Sequence, residues 1–199
     1  MARCPNAQFV LKADDDTYVD TFHLEHFLRD HGFHSKSKFL LCNTIENQTV
    51  IRVKKSKSYV SPDDYPEETY PRYCTGAAYV TTIETVRAIA DNVSQIDNAI
   101  HVDDAFVTGI AATRGGETKI PYHHWGMYWM HSHSHEEENI FNPSLPFFSP
   151  EIMVAFDLGP EKMRIIHQKT LLCQKHLKNC YQLLWKSDDA KFVRVREEL

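Results

Sequence analysis

Short apolar runs broken by polar clusters, with the period switching between two and about 3.6, predict strands alternating with helices along this chain. Phe9-Val10-Leu11 reads as a strand that ends abruptly in three carboxylates, Asp14, Asp15 and Asp16. Asp20 to Arg29 predicts a helix with Leu24, Phe27 and Leu28 on one face, Asp20 as N-cap and Gly32 as the stop. Phe39 to Cys42 and Thr49 to Val53 read as strands, the second with Ile51 and Val53 alternating against Arg52 and Lys54. The basic run Lys54 to Lys57 reads as a solvated edge or turn. Proline-rich loops follow around Ser61 to Pro66 and Tyr70 to Tyr73.

Gly76 to Thr82 has strand character. Ile83 to Ala90 predicts a short helix with Ile83, Val86, Ile89 and Ala90 on one side. His101-Val102-Asp103-Asp104 leads into a further helix, whose expected stripe is Phe106, Val107, Ile110 and Ala111 and whose stop is Gly115-Gly116. Beyond an aromatic and histidine-rich stretch, Tyr122 to His135, the tail carries helical periodicity around Ile165, Ile166, Leu171 and Leu172. The alternation points to an α/β class, in which active groups sit at strand ends.

Composition narrows this reading. The 199 residues, 42% apolar and 25% charged, suit one globular domain. A net charge of −5 offers no basic footprint for nucleic acid. No run of about eighteen apolar residues marks a membrane span, and the first residues lack the apolar core of a signal peptide. The five cysteines, Cys4, Cys42, Cys74, Cys173 and Cys180, include no Cys-x-x-Cys pair, which excludes a zinc ribbon or thioredoxin-type motif. Together with the sequons at Asn47 and Asn92, they favour a lumenal over a cytosolic setting.

The carboxylates carry the candidate chemistry. Alternation puts Asp14 and Asp16 on one side of an extended segment, where two like charges call for a cation between them. A hard divalent ion such as Mn2+ or Mg2+ suits that place, because it takes oxygen ligands and keeps positions open for phosphate. The plain alternative is a solvated acidic turn, with Asp16 or Asp20 capping the next helix. Likewise Asp103-Asp104 at a helix start offers a general base, against simple capping by Asp103 and solvation of Asp104.

Four blocks raise the functional side of each choice. They are Phe9-Val10-Leu11-Lys12-Ala13-Asp14-Asp15-Asp16, then Ser58-Tyr59-Val60-Ser61-Pro62-Asp63-Asp64-Tyr65-Pro66, then Tyr70-Pro71-Arg72-Tyr73-Cys74-Thr75-Gly76-Ala77-Ala78-Tyr79-Val80, and Val102-Asp103-Asp104-Ala105. In order and spacing they resemble the β-1,3-galactosyltransferase-like glycosyltransferases (family 31, with its N-acetylglucosaminyltransferase and fringe relatives). The likeness covers residues 8 to 115, with weaker echoes to 137.

The resemblance implies a GT-A-like nucleotide-sugar transferase fold, a Rossmann-like mixed sheet flanked by helices. Residues 1–137 would form a partial catalytic domain and 138–199 its C-terminal extension. It implies a metal-dependent, inverting transfer of galactose, N-acetylglucosamine or N-acetylgalactosamine from a UDP-sugar to a glycan on a glycoprotein or glycolipid, in a β-1,3 linkage. Asp16 and Asp14 would hold Mn2+ or Mg2+, with Asp14, Asp15 and Gly76 against the donor. Asp104 would be the base, and Asp103 its neighbouring support. A fringe-like His-Ser-His segment makes His133, then His131, further metal candidates. Tyr122, Trp125, Tyr128 and Trp129 are candidates for stacking on sugar rings, with core packing as the alternative. Tyr59, Tyr73 and Tyr79 are either site wall or core, and Ser58 stands where relatives often carry tryptophan.

Members of that family are type II Golgi proteins whose catalytic domain opens with strands upstream of the acidic triplet. This chain reaches its triplet by residue 14, so an N-terminally truncated domain is expected, with its membrane anchor elsewhere. A non-catalytic remnant that binds carbohydrate or protein is the second reading. An unrelated metal-dependent hydrolase built on Asp14, Asp16, Asp104 and histidines is the third.

Overall fold

A computed structural model describes residues 6–114, 120–125, 129–131 and 153–176 of the chain. It divides into two compact units, one of residues 1–14 and 33–125, the other of 15–32 and 126–199. Among the described residues, no helix is long and apolar enough to cross a membrane.

The first unit is built on a four-stranded mixed sheet. Its strands are β1 (Phe9–Ala13), β3 (Leu40–Ile45), β4 (Tyr73–Thr82) and β5 (Tyr122–His124), in the order β1-β4-β3-β5. β4 runs antiparallel to both neighbours, pairing Leu11 with Val80 on one side and Leu41 with Val80 on the other. β5 lies parallel to β3. Leu40, Leu41 and Cys42 are all buried, as befits a strand covered on both faces. A disulfide joins Cys42 to Cys74 across the β3–β4 pair, beside a shift in register between Cys42 and Thr44.

Helix α2 (Ile83–Val93) begins without a loop, because the Thr82 hydroxyl caps it by accepting from the Thr85 N–H at 3.2 Å. Thr85 and Ile89 form its buried side, whereas Ala90 is exposed, so the expected face turns by about one position. The next helix, α3 (Asp103–Ala105), passes directly into a π-helical turn, Phe106–Ala111. Of the expected stripe, Phe106 and Ala111 are buried and Val107 and Ile110 are partly buried against the core, and the wider winding adds Thr108 and Gly109 to the buried face. A Cβ at Gly109 would lie 3.0 Å from Tyr73 Cβ, so glycine lets this turn press against β4. Two apolar clusters, around Leu40, Ile89 and Ile120 and around Val60, Tyr70 and Phe106, complete the unit's core.

The strand expected over Thr49 to Val53 is not formed. Thr49 makes an isolated bridge to Thr69, and Ile51 and Val53 are 37% and 65% exposed. Arg52 instead folds inward and donates to the carbonyls of Val60, Tyr65 and Glu67 at 2.9, 2.7 and 2.7 Å. The alternation exists with its sense reversed, because one guanidinium serves three loop carbonyls at once.

The second unit holds β2 (Tyr18–Val19), α1 (Thr21–Asp30), β6 (Trp129–His131), β7 (Val154–Phe156) and α4 (Pro160–His176). Its sheet runs β2-β7-β6. Asp20 caps α1 as expected, accepting from the N–H groups of Phe22 and His23, and Gly32 leaves the helix at φ 71°. Leu24, Phe27 and Leu28 are buried. Ile166 of α4 packs with Ala155 and Leu158, and the Tyr18 hydroxyl donates to Thr170 at 3.0 Å.

Candidate active site

Strand alternation sets up this site. Lys12 and Asp14 are two residues apart at the end of β1, so their side chains share a face. The Asp14 N–H still donates to the Ala77 carbonyl at 3.0 Å, which carries the β1–β4 ladder to the last residue of the unit's first segment. The Lys12 ammonium donates to the Asp14 carboxylate and to the Gly76 carbonyl. On the other side of the same residue's Cα, the Gly76 N–H donates to Asp104 Oδ2 at 3.2 Å.

Asp104 is held from three sides. Its Oδ1 accepts from the Ala105 N–H at 2.8 Å, and its carbonyl accepts from the Thr108 hydroxyl at 2.6 Å. Thr108 also accepts from the Cys74 N–H at 2.9 Å, which ties the helix to β4 two residues before Gly76. Burial raises the Asp104 carboxyl above its ordinary 3.8; the Ala105 and Gly76 amides pull the other way, and the Asp103 charge adds to the rise. Asp103 itself is exposed.

These groups line a cavity of about 410 Å³, within the usual size for a small-ligand site. Asp14, Lys12, Gly76, Asp103 and Asp104 form one part of its wall; Gln48, Ile51, Lys57, Ser58, Tyr70, Tyr73 and His101 contribute to the rest. His101 Nε2 lies 3.1 Å from the Lys57 carbonyl and pins that rim. Burial and the nearby Asp104 charge push the Tyr73 phenol up to about 12, and burial also raises Tyr70. Both therefore stay protonated donors at neutral pH. Tyr70 is 5% exposed, and its hydroxyl has no hydrogen-bond partner among the described residues. A buried hydroxyl left unpaired beside a cavity is a place for a ligand oxygen.

Of the residues singled out in the sequence, Asp14, Gly76, Asp103 and Asp104 meet on this wall, and Ser58 and Tyr73 join them. Asp15 and Asp16 belong to the second unit, where both are exposed and Asp16 Oδ1 accepts a 3.4 Å bond from Thr17. His131 lies in β6, with only its backbone described, and His133 and Tyr128 fall outside the described residues. Trp125 is 1% exposed, so its ring faces are closed to a sugar. Tyr122 is a packing residue whose hydroxyl donates to the Thr108 carbonyl. Tyr79 packs in the core cluster around Leu40. Lys12, Thr108 and Tyr70 were not among the expected site residues; for Lys12, the i, i+2 spacing to Asp14 was the available signal.

The sequence profile of the galactosyltransferase family matches residues 1–125. The chain belongs to this family. It is similar to proteins named lactosylceramide 1,3-N-acetyl-beta-D-glucosaminyltransferase from several vertebrates. The Rattus norvegicus protein is 28% identical over 89% of this chain and 50% of its own length. The Homo sapiens protein is 30% identical over 68% of this chain and 39% of its own, and the Xenopus tropicalis protein 32% identical over 60% and 34%. The chain thus spans half or less of the length of these curated relatives.

Proposed function

We propose that this chain carries the base-bearing part of an inverting glycosyltransferase of GT-A type, which moves a hexose from a UDP-sugar to a glycan in a β-1,3 linkage. One observation carries the reading: a half-buried carboxylate, Asp104, fixed by the Gly76 amide at the wall of a 410 Å³ cavity beside Asp14. The relatives' names favour N-acetylglucosamine as the sugar and a lactosylceramide-like glycolipid as the acceptor.

In this mechanism the acceptor hydroxyl lies against Asp104, with Tyr70 and Tyr73 donating to neighbouring sugar oxygens. Asp104 takes the hydroxyl proton as the oxygen bonds to the anomeric carbon. The bond from that carbon to the diphosphate breaks on the opposite face, and UDP leaves with the electron pair. A raised carboxyl suits this step, since a base nearer neutrality accepts the proton more readily in the transition state.

Among the described residues, no three His, Cys, Asp or Glu side chains form a ready metal cluster. Asp14 is paired with Lys12, while Asp16 is exposed. Either carboxylate offers hard oxygens that would suit Mn2+ or Mg2+, and His133 or His131 are additional candidates. Such an ion would supply Lewis-acid neutralisation of charge on a departing diphosphate. Asp15 would face the donor. The Cys42–Cys74 disulfide supports an oxidising compartment, in keeping with the Golgi lumen.

Thermal unfolding of the chain with Mn2+ and UDP together tests the reading. A rise in Tm that needs both supports a donor site, by mass action. No rise in a cooperatively folding chain favours the non-catalytic binding module.

A further inference from the structure

The end of β1 is inverted with respect to a packed strand. Leu11 is 39% exposed, while the Lys12 side chain is 28% exposed and lines the cavity. A partly desolvated ammonium is costly unless it is paired. Lys12 is paired twice, to the Asp14 carboxylate and the Gly76 carbonyl. The other end of the Gly76 residue, its N–H, holds Asp104. A Cβ at position 76 would lie 3.5 Å from Asp104 Oδ2 and 3.6 Å from Lys12 Nζ, so both groups close on the same small volume.

We propose that Lys12 is a positioning residue for the base. It fixes the Gly76 carbonyl from one side, so that the amide of the same residue stays aimed at Asp104, and it ties that arrangement to Asp14 at the strand tip. Asp14, Lys12, Gly76 and Asp104 thereby form one continuous polar chain along the cavity wall. An ammonium suits the task better than a guanidinium, because its compact head reaches two oxygens in different planes. The role of Asp104 rests on the function proposed above; the hold of Lys12 on the Gly76 peptide does not.

The test compares Lys12→Ala with the unaltered 199-residue chain, with and without added ethylammonium. Amide hydrogen exchange at Gly76 is read by NMR, alongside Tm and, in an active preparation, kcat and acceptor KM. The expected result is about tenfold faster exchange at Gly76, the cost of roughly one lost hydrogen bond to its support, with exchange in α2 unchanged. In transfer, kcat falls by about 10²-fold, the scale of a small misplacement of a catalytic group, with little change in acceptor KM. Ethylammonium restores both. Unchanged exchange at Gly76 overturns the proposal, as does acceleration spread evenly over the sheet, or a loss that ethylammonium does not mend. If Mn2+ and UDP together leave the Tm of the unaltered chain unmoved, the functional reading fails while Gly76 exchange still decides the role of Lys12.

Discussion

The Gly76 N–H meets Asp104 Oδ2 at 3.2 Å, so a strand residue and a helix residue 28 positions apart share one hydrogen bond at the cavity wall. Burial first, then the Ala105 amide, the Asp103 charge and this bond, set how readily Asp104 takes a proton. The pH dependence follows. Burial raises the native carboxyl above 3.8, so Asp104 binds its proton more tightly folded than unfolded. Its contribution to stability is then present at acid pH and falls away as pH rises from 3.8 through the raised value. Transfer runs the other way, since it requires the ionised form: its acid limb is expected above 3.8. Asp103→Asn removes a charge that raises Asp104, and the limb is expected to move to lower pH. A pH–rate profile of both chains checks this; an unmoved limb would separate Asp103 from the base.

Glycine at 76 and glycine at 109 are needed for different reasons. At 109 a Cβ would sit 3.0 Å from Tyr73 Cβ, so tight that one of the two backbones must give way. Gly109→Ala is expected to destabilise by about 1–3 kcal/mol, the range for overpacking. At 76 the nearest atoms are 3.5 Å away, so alanine fits and leaves Tm almost unchanged. Gly76→Val, with branches reaching toward Asp104 and Lys12, is expected to lower transfer far more than it lowers Tm. Thermal melts and initial rates of the three variants separate the two kinds of need.

Much of this arrangement was legible in the sequence, and the rest was hidden for physical reasons. Asp20, Leu24, Phe27 and Leu28 follow from local rules of capping and helical period, which do not depend on the rest of the fold. The apolar runs of β1, β3 and β4 and the helix start at Asp103 are likewise local, whereas the order β1-β4-β3-β5 is not. Thr49 to Val53 misled because alternation fixes which residues share a side and not which side faces in. There Arg52 found three carbonyls, and the aliphatics were turned outward. The π-turn added Thr108 and Gly109 to the buried face beside Phe106 and Ala111, since its wider winding leaves no mark in a pattern of period 3.6. Lys12 and Thr108 act through backbone groups of β4, which no side-chain motif encodes.

The pairing of Cys42 with Cys74 closes a separation of 32 residues between adjacent strands. Loop-closure entropy over that span is worth about 3–4 kcal/mol on the chain-entropy account. Cys42→Ala with Cys74→Ala is therefore expected to lower Tm markedly in an oxidising buffer. Reductant should bring the unaltered chain toward the same value. Equal melting of the two chains in oxidising buffer would show that the bridge contributes no stability.

The Tyr70 hydroxyl offers a sharper separation of stability from binding. It is buried, lines the cavity and has no partner among the described residues, so in the free protein it bears a desolvation cost without a bond in return. Tyr70→Phe removes that cost and keeps the ring, which stacks on Tyr65 at 5.4 Å between centroids and meets Tyr73 edge-on. The variant is expected to melt at the same temperature as the parent or slightly above it. If the hydroxyl donates to an acceptor oxygen, its loss weakens acceptor binding by about 1 kcal/mol, a rise in KM of roughly fivefold with kcat little changed. Calorimetric melts paired with acceptor titrations check both halves. A lower Tm with unaltered KM would assign the hydroxyl to the fold and take it out of the site.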